Sequence, residues 1–322
     1  MRKLVLATRG SKLALAQSEM VAQMLRSAHP GLEVELQITQ TKGDLVLDRA
    51  LSKIGDKGLF VKEIEQALLD HTADLAVHSC KDLPSSLPAE LILGAFPCRA
   101  DPRDVLISRH GVQLHELPMG GRVGTSSLRR ACQVRRLRPD LQIIDLRGNV
   151  DTRLRKAQTD DYDAIILAAA GLERLELSSA VTQVFDVDTL VPMVAQGALA
   201  VECRADDHAV RNLLAALNDR PTELAVRTER AFLRRLEGGC QVPIAAHATL
   251  SDHAIRLRGL IGLPDGAQVV RGERSGPVHD GETLGTALAE QLLAEGGAAI
   301  LQRLSRVIPA VDAVASPAQG PA

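Results

Sequence analysis

The stretch "RLEGGCQVPIA" sets Cys240 behind Gly238 and Gly239 and ahead of Pro243. The glycines remove bulk on one side and the proline stiffens the other, which is how a chain presents a side chain at the tip of a turn. Two readings stand together: a presented thiol able to form a covalent bond, or a small apolar loop residue, since free cysteine is among the most buried residue types. A second pointed residue is Asp82 in "HSCKDLP", directly after Lys81. A carboxylate there can accept a hydrogen bond from a ligand N–H or stabilise a cation. It can equally bridge a neighbouring cation or cap a turn.

Around these two stands a set of cations and hydroxyls. After the segment "KLVLA" come Thr8, Arg9 and Ser11, and after "ADLAV" come His78, Ser79, Lys81 and Asp82. After "RV" come Thr125, Ser126, Ser127, Arg129 and Arg130, and after "QIID" comes Arg147, followed by Arg153 and Arg155. A free helix N-terminus with a Ser or Thr hydroxyl accepts a negative ligand, and arginine adds paired, charge-assisted bonds suited to carboxylates. Any one of these sites is explained by plain helix capping. Four at equivalent positions describe a cleft for a ligand with several carboxylates, with Asp82 as the lone acid inside it.

Those positions matter because of the elements that carry them. Strand-like and helix-like segments alternate through the first half: "KLVLA", then "SKLALAQSEMVAQMLRSAH" with Leu13, Ala16, Met20 and Met24 on one face, then "EVELQIT", "LFVKEIEQALLDH", "ADLAVHS" and "LILGAF". The alternation repeats with "RVGTSS", "LRRACQVRRLR", "QIIDLR", "VDTRLRKAQ" and "AIILAAAG". Two successive arrays predict two α/β lobes with mainly parallel sheets, whose ligands bind at the carboxyl ends of strands. From about residue 220 the pattern becomes a helix, three strands with "LPDG" between the last two, and a final helix carrying Leu284, Leu288 and Leu292. That predicts a small C-terminal α+β domain with Cys240 on its opening loop. The Ala/Pro-rich end, residues 312–322, is expected to be disordered.

Composition excludes several classes. Hydrophobic residues make up 45% and charged residues 24%, as in ordinary globular proteins, while aromatics are scarce at 2%. The segment "RRACQVRRLR" carries five arginines, but a net charge of −2 and the lack of interleaved aromatics argue against nucleic acid. The five cysteines form no CxxC pair and the histidines no HExxH or HxxxH, so neither a disulfide framework nor a metal site is expected. No GxxxxGK[ST] loop and no GxGxxG after the first strand speak against nucleotides. "MRKLVLATRG" lacks the pattern of an export signal, and no apolar run reaches the roughly 18 residues of a membrane span. The expectation is a cytoplasmic protein with no membrane partner.

"ATRGSKLALAQ", "KGLFVKEIE", "LAVHSCKDLP", "DPRD", "GTSSLRR", "LRGNVDTRL", "YDAIILAAAGL", "QGALAVECR" and "LEGGCQVPIAA" resemble, in order, the motifs of the porphobilinogen deaminase (hydroxymethylbilane synthase) family. The resemblance covers roughly residues 4 to 250, and as a set these motifs are highly specific. Departures are few: Cys80 stands where Met is common, Asp56 where Gly is often found, and Ala195 makes "VAQG" of a usual "VGQG".

The resemblance implies a fold of two lobes of the periplasmic-binding-protein (type II) kind plus the α+β domain. Residues 1–97 with 198–215 would form lobe 1, residues 103–191 lobe 2, and residues 220–311 the domain carrying the cysteine. It implies a dipyrromethane cofactor bound to Cys240 through a thioether, and a monomer acting on porphobilinogen. The substrate would lose ammonia to give an azafulvene, which the free α-carbon of the tethered chain attacks. Four additions and hydrolysis would release hydroxymethylbilane. Carried over by motif, Asp82 is catalytic, while Lys81, Thr125, Ser127, Arg129, Arg130 and Arg153 hold cofactor carboxylates. Arg9, Ser11, Arg147 and Arg153 hold the incoming ring or the cofactor, and Lys57 and Phe60, at the end of the stretch from Lys42 to Lys57 that is expected to be a lid, belong to that cover over the cleft. The competing reading is a two-lobe binding protein for a polycarboxylate ligand, with no chemistry.

Overall fold

The computed structural model describes residues 3–41, 61–236 and 242–307. Cys240, Lys57, Phe60 and residues 312–322 therefore lie outside the described residues, as does the stretch assigned to the lid.

In chain order the first lobe runs β1 (Lys3–Thr8), α1 (Lys12–Ala28), β2 (Glu33–Ile38), α2 (Lys62–Leu69), β3 (Leu75–Ser79) and β4 (Leu91–Ala95). After a crossing segment come β5 (Asp104–Ser108), β6 (Arg122–Gly124), α3 (Leu128–Leu137), β7 (Gln142–Ile144), α4 (Val150–Lys156), β8 (Ala164–Ala168), α5 (Ala169–Glu173) and β9 (Gln183–Val184). The chain then crosses back into β10 (Leu199–Arg204), α6 (His208–Leu214) and α7 (Arg220–Arg235). The last unit is β11 (Ile244–Ser251), β12 (Ala254–Gly262), β13 (Val269–Pro277), α8 (Gly281–Leu292) and α9 (Ala298–Val307).

The strands form two five-stranded sheets, ordered β2-β1-β3-β10-β4 and β7-β6-β8-β5-β9, and an antiparallel β11-β12-β13 sheet. Both large sheets follow one plan. β1 pairs in parallel with β2 and β3, and β6 with β7 and β8, while the strand that has just crossed over, β10 or β5, inserts antiparallel. This is the expected architecture of two mainly parallel α/β lobes and a small α+β domain.

Central strands covered by helices on both faces read as continuous apolar runs. Leu4, Leu6 and Ala7 of β1, and Ile165 and Ile166 of β8, are accordingly fully buried. The third core, with Phe232, Leu257, Ile261, Leu288 and Leu292, runs on into Phe96, Val194 and Ala195 of the two crossing segments. The small domain thus packs against the hinge of the lobes. One difference from the sequence expectation concerns its final helix, which breaks where Gly296 takes φ 114° and resumes as α9. Glycine reaches that conformation without steric penalty, so the backbone can turn there.

The crossing segments are tied together by one carboxylate. Glu229 of α7 is fully buried and accepts from Arg99 on the first segment (2.7 and 3.1 Å), from the Ala195 N–H on the second (2.6 Å) and from the Ala248 N–H in β11 (2.8 Å). Burial alone would raise its pKa, but Arg99 and His247 outweigh that and hold it down at about 2. Ala195 itself sits at φ 60°. That is the left-handed region, where glycine sits without strain and alanine with it.

Candidate active site

On lobe 1 the polar residues sit where β1 and β3 end. Ser11 caps α1, accepting from the Ala14 N–H at 3.3 Å, and stands half-buried beside half-buried Arg9. Thr8 is fully buried and receives the Ser18 hydroxyl at 2.7 Å, so its role is packing. His78 is likewise internal, its Nε2 lying 2.9 Å from Glu202 Oε2. Beyond Ser79 a single tight turn, Cys80–Asp82, presents Lys81 half-buried and Asp82 exposed.

On lobe 2, Ser127 caps α3 by accepting from the Arg130 N–H at 3.4 Å, and Thr125 Oγ1 accepts from the Ser127 N–H at 3.1 Å. Arg129 and Arg130 are buried and share one carboxylate, that of Asp104 in β5. Arg129 donates through Nη1 at 2.6 Å and Nη2 at 3.2 Å, and Arg130 through Nε at 3.0 Å and Nη2 at 2.8 Å. Burial would raise the Asp104 pKa, yet the two guanidiniums hold it well below the carboxylate range. A guanidinium has five N–H donors, so both arginines keep donors beyond these bonds. The buried Arg129 Nε has no hydrogen-bond partner among the described residues.

Arg147 Nε lies 3.4 Å from Asp145, and Arg153, half-buried in α4, donates to the Gly148 carbonyl at 2.7 Å. Burial pushes the Arg153 pKa down to about 10, with Arg130 and Arg147 adding repulsion and Asp82 opposing it. Arg155 is exposed and, among the described residues, its side chain bonds Thr152, so it stands apart from the group.

The two lobes meet at Gln196 on the second crossing segment. Its Oε1 receives the Lys81 ammonium at 3.5 Å, and its Nε2 donates to Asp104 at 2.9 Å and to the Pro102 carbonyl at 2.7 Å. Burial pushes Lys81 down to about 8 despite Asp82, and Arg130 and Arg129 push the same way. Among the described residues, the five cations Lys81, Arg129, Arg130, Arg147 and Arg153 thus face three carboxylates, Asp82, Asp104 and Asp145. Such an excess of partly desolvated positive charge suits a ligand with several carboxylates.

Three residues of this arrangement escaped the sequence reading. Asp104 was present in "DPRD" but nothing local marked it as the seat of two arginines. Gln196 stood in "QGALAVECR" with nothing local to mark it as the link between the lobes. Arg174, half-buried after α5, donates to the Gly197 carbonyl at 2.6 Å, has a buried Nε without a partner, and is pushed down to about 10 by burial. It follows β8, so the strand-end rule that found the other cations would have found it too.

The family described as "Porphobilinogen deaminase, dipyromethane cofactor binding domain" matches residues 4–212, and "Porphobilinogen deaminase, C-terminal domain" matches residues 223–294. The porphobilinogen deaminase of Roseiflexus sp. (strain RS-1) is 56% identical over 92% of this chain and 98% of its own. That of Syntrophotalea carbinolica is 52% identical over 93% and 95%, and that of Syntrophobacter fumaroxidans 51% over 95% and 99%. Among solved structures, the methionine-binding protein MetQ aligns with TM-score 0.43 and 12% identity over 69% of this chain and 92% of that one.

Proposed function

The chain belongs to the porphobilinogen deaminase family, and on that footing we propose how its own residues perform the family's reaction. It is a transferase that deaminates four porphobilinogen molecules, joins them head to tail on a dipyrromethane primer and releases hydroxymethylbilane by hydrolysis. The alternative of a binding protein without chemistry is not favoured.

Each porphobilinogen ring brings an acetate and a propionate, so a two-ring primer brings four carboxylates. The residues present fit that group: Arg129 and Arg130 share a single internal carboxylate, and the one hydrogen bond of the Lys81 ammonium among the described residues is a long one to a neutral amide. In our reading Lys81, Thr125, Ser127, Arg129, Arg130 and Arg153 hold the primer's carboxylates, and Cys240 is its covalent anchor. Bound there, the dipyrromethane supplies the free α-carbon at which the product chain grows. Arg9, Ser11, Arg147 and Arg153 orient the carboxylates of the incoming ring.

Asp82 does the chemical work. As ammonia leaves the substrate's aminomethyl carbon, positive charge spreads over the pyrrole, and a fixed carboxylate beside it lowers that barrier. The same carboxylate accepts the pyrrole N–H hydrogen bond and assists the later loss of the ring proton. The observation that carries this reading is Asp82 presented on the Cys80–Asp82 turn within electrostatic reach of Lys81 and Arg153. In this reading the protein acts as a monomer in the cytoplasm.

Asp82→Asn tests the reading, because it keeps the shape and removes the charge. Turnover is expected to fall by about 10²–10³-fold, the usual loss when a group aimed at developing charge is removed. Asp82→Glu should be slow but active, and neither thermal midpoint should move much, since Asp82 is exposed. Near-normal turnover in Asp82→Asn would remove Asp82 from the mechanism.

A further inference from the structure

Gln196 is 1% exposed and its side chain fills the gap between the lobes. Its backbone is held on both sides: the N–H donates to the Met193 carbonyl at 2.9 Å, and its carbonyl receives Arg99 Nε at 2.8 Å. Its neighbours Ala195 and Gly197 both have positive φ, 60° and 87°. The amide orientation follows from its partners. Two acceptors, the Pro102 carbonyl and Asp104, claim the NH2 end, so the oxygen faces Lys81.

This places a neutral group where a counter-ion would be expected. Asp104 is saturated, since its Oδ1 alone receives Arg129, Arg130 and Gln196. Among the described residues, Lys81, a partly desolvated cation, donates a single hydrogen bond, at 3.5 Å to an amide oxygen. The charges facing it are Asp82 on its own turn, Arg129 and Arg130 on α3, and Asp104 on β5. A carboxylate at position 196 would reach the ammonium with one fewer positive charge left for any ligand.

We infer that Gln196 is a positioning residue for primer loading: it keeps a neutral amide, not a counter-ion, against the Lys81 ammonium, and so reserves that charge for a ligand carboxylate. The inference rests on the reading that Lys81 holds such a carboxylate. Lys81 with a pKa of about 8 in the free protein must be protonated to do so. Loading therefore weakens as pH rises through about 8, because the ligand-bound form keeps a proton that the free form has begun to lose.

The experiment incubates the cofactor-free full-length chain with porphobilinogen across a pH series and reads primer formation by denaturing intact mass. Cys240 is common to all variants, so differences between their profiles report the charge near Lys81. Gln196→Glu should load about tenfold more slowly at neutral pH, and the alkaline midpoint of what remains should move up by about one unit, the size of a new close ion pair. Gln196→Met removes the acceptor without adding a charge, so its loading should slow by only about threefold and its midpoint should move down by about half a unit. These opposite shifts separate charge from packing. Equal losses with unmoved midpoints, or no downward shift in Gln196→Met, overturn the inference even if Gln196→Glu does not fold. Lys81→Met is the control and should load slowly without the alkaline limb. Normal loading in Lys81→Met sinks the reading of Lys81 and the inference with it. Slow loading there, with normal loading in Gln196→Glu, sinks the inference alone.

Discussion

A thiol reacts as its thiolate, and burial withholds the thiolate from Cys80, Cys132 and Cys203, which are at most 1% exposed and pushed up to about 11. Cys98 is exposed. A thiol reagent applied to the native chain near neutral pH is therefore expected to label Cys98 and spare those three. Peptide mass spectrometry of the denatured holoenzyme should place the primer on the Cys240 peptide alone, with no adduct in Cys240→Ser. An adduct on Cys98 would relocate the anchor. The contrast was half legible in the sequence. The glycine-flanked setting of Cys240 is a local pattern, whereas the inertness of Cys203 follows from its place in β10, which a nonlocal sheet buries.

The second crossing segment shows how an element aims a side chain. Gly197 has φ 87°, and a Cβ there would lie 2.5 Å from the Ala100 carbonyl oxygen on the first segment. Gly197→Ala must bear the left-handed penalty of about 1–2 kcal/mol and also separate the two segments. Its thermal midpoint should fall by several degrees, at about 2–4 °C per kcal/mol, and primer loading should fall with it as Gln196 is displaced. An unchanged midpoint would mean that the hinge relaxes freely. Ala195→Gly is the useful contrast: relief of strain of about 1 kcal/mol is offset by a looser unfolded chain, leaving stability nearly unchanged. The sequence marked both positions through "VAQG", but at 195 the reason for a small residue is the left-handed backbone, and at 197 it is that backbone together with the closeness of Ala100, far away in the chain.

Across the whole molecule, Glu229 fastens both crossings to the small domain. Removing one partner of a buried charge pair costs about 3–5 kcal/mol. Glu229→Ala should therefore lower the thermal midpoint sharply, and unfolding of the small domain should separate from that of the lobes in calorimetry. A single unshifted transition would show that apolar packing alone couples them. Acid should act through the same group. The folded pKa of Glu229, about 2, lies below the unfolded value of about 4.3, so its contribution is present above that value and lost as pH falls toward 2. Asp104, also held low, adds to the same acid limb. Denaturant titrations between about pH 5 and 2 should show stability falling, less steeply in Glu229→Gln.

What the sequence determined by itself is whatever short stretches encode: the alternation of strands and helices, the caps at Ser11 and Ser127, the turn carrying Asp82, and the set of cations at strand ends. Each depends on residues a few positions apart. Which of those cations are neutralised within the protein was decided by tertiary structure alone. Arg129 meets Asp104 across 25 positions, Gln196 meets Asp104 across 92, Lys81 meets Gln196 across 115, and Arg99 meets Glu229 across 130. Charge pairing is settled by distance in space, and the crossing of the chain between two lobes brings these groups together. An arginine motif in the sequence therefore names a cation, and the fold decides how much of that cation remains for a ligand.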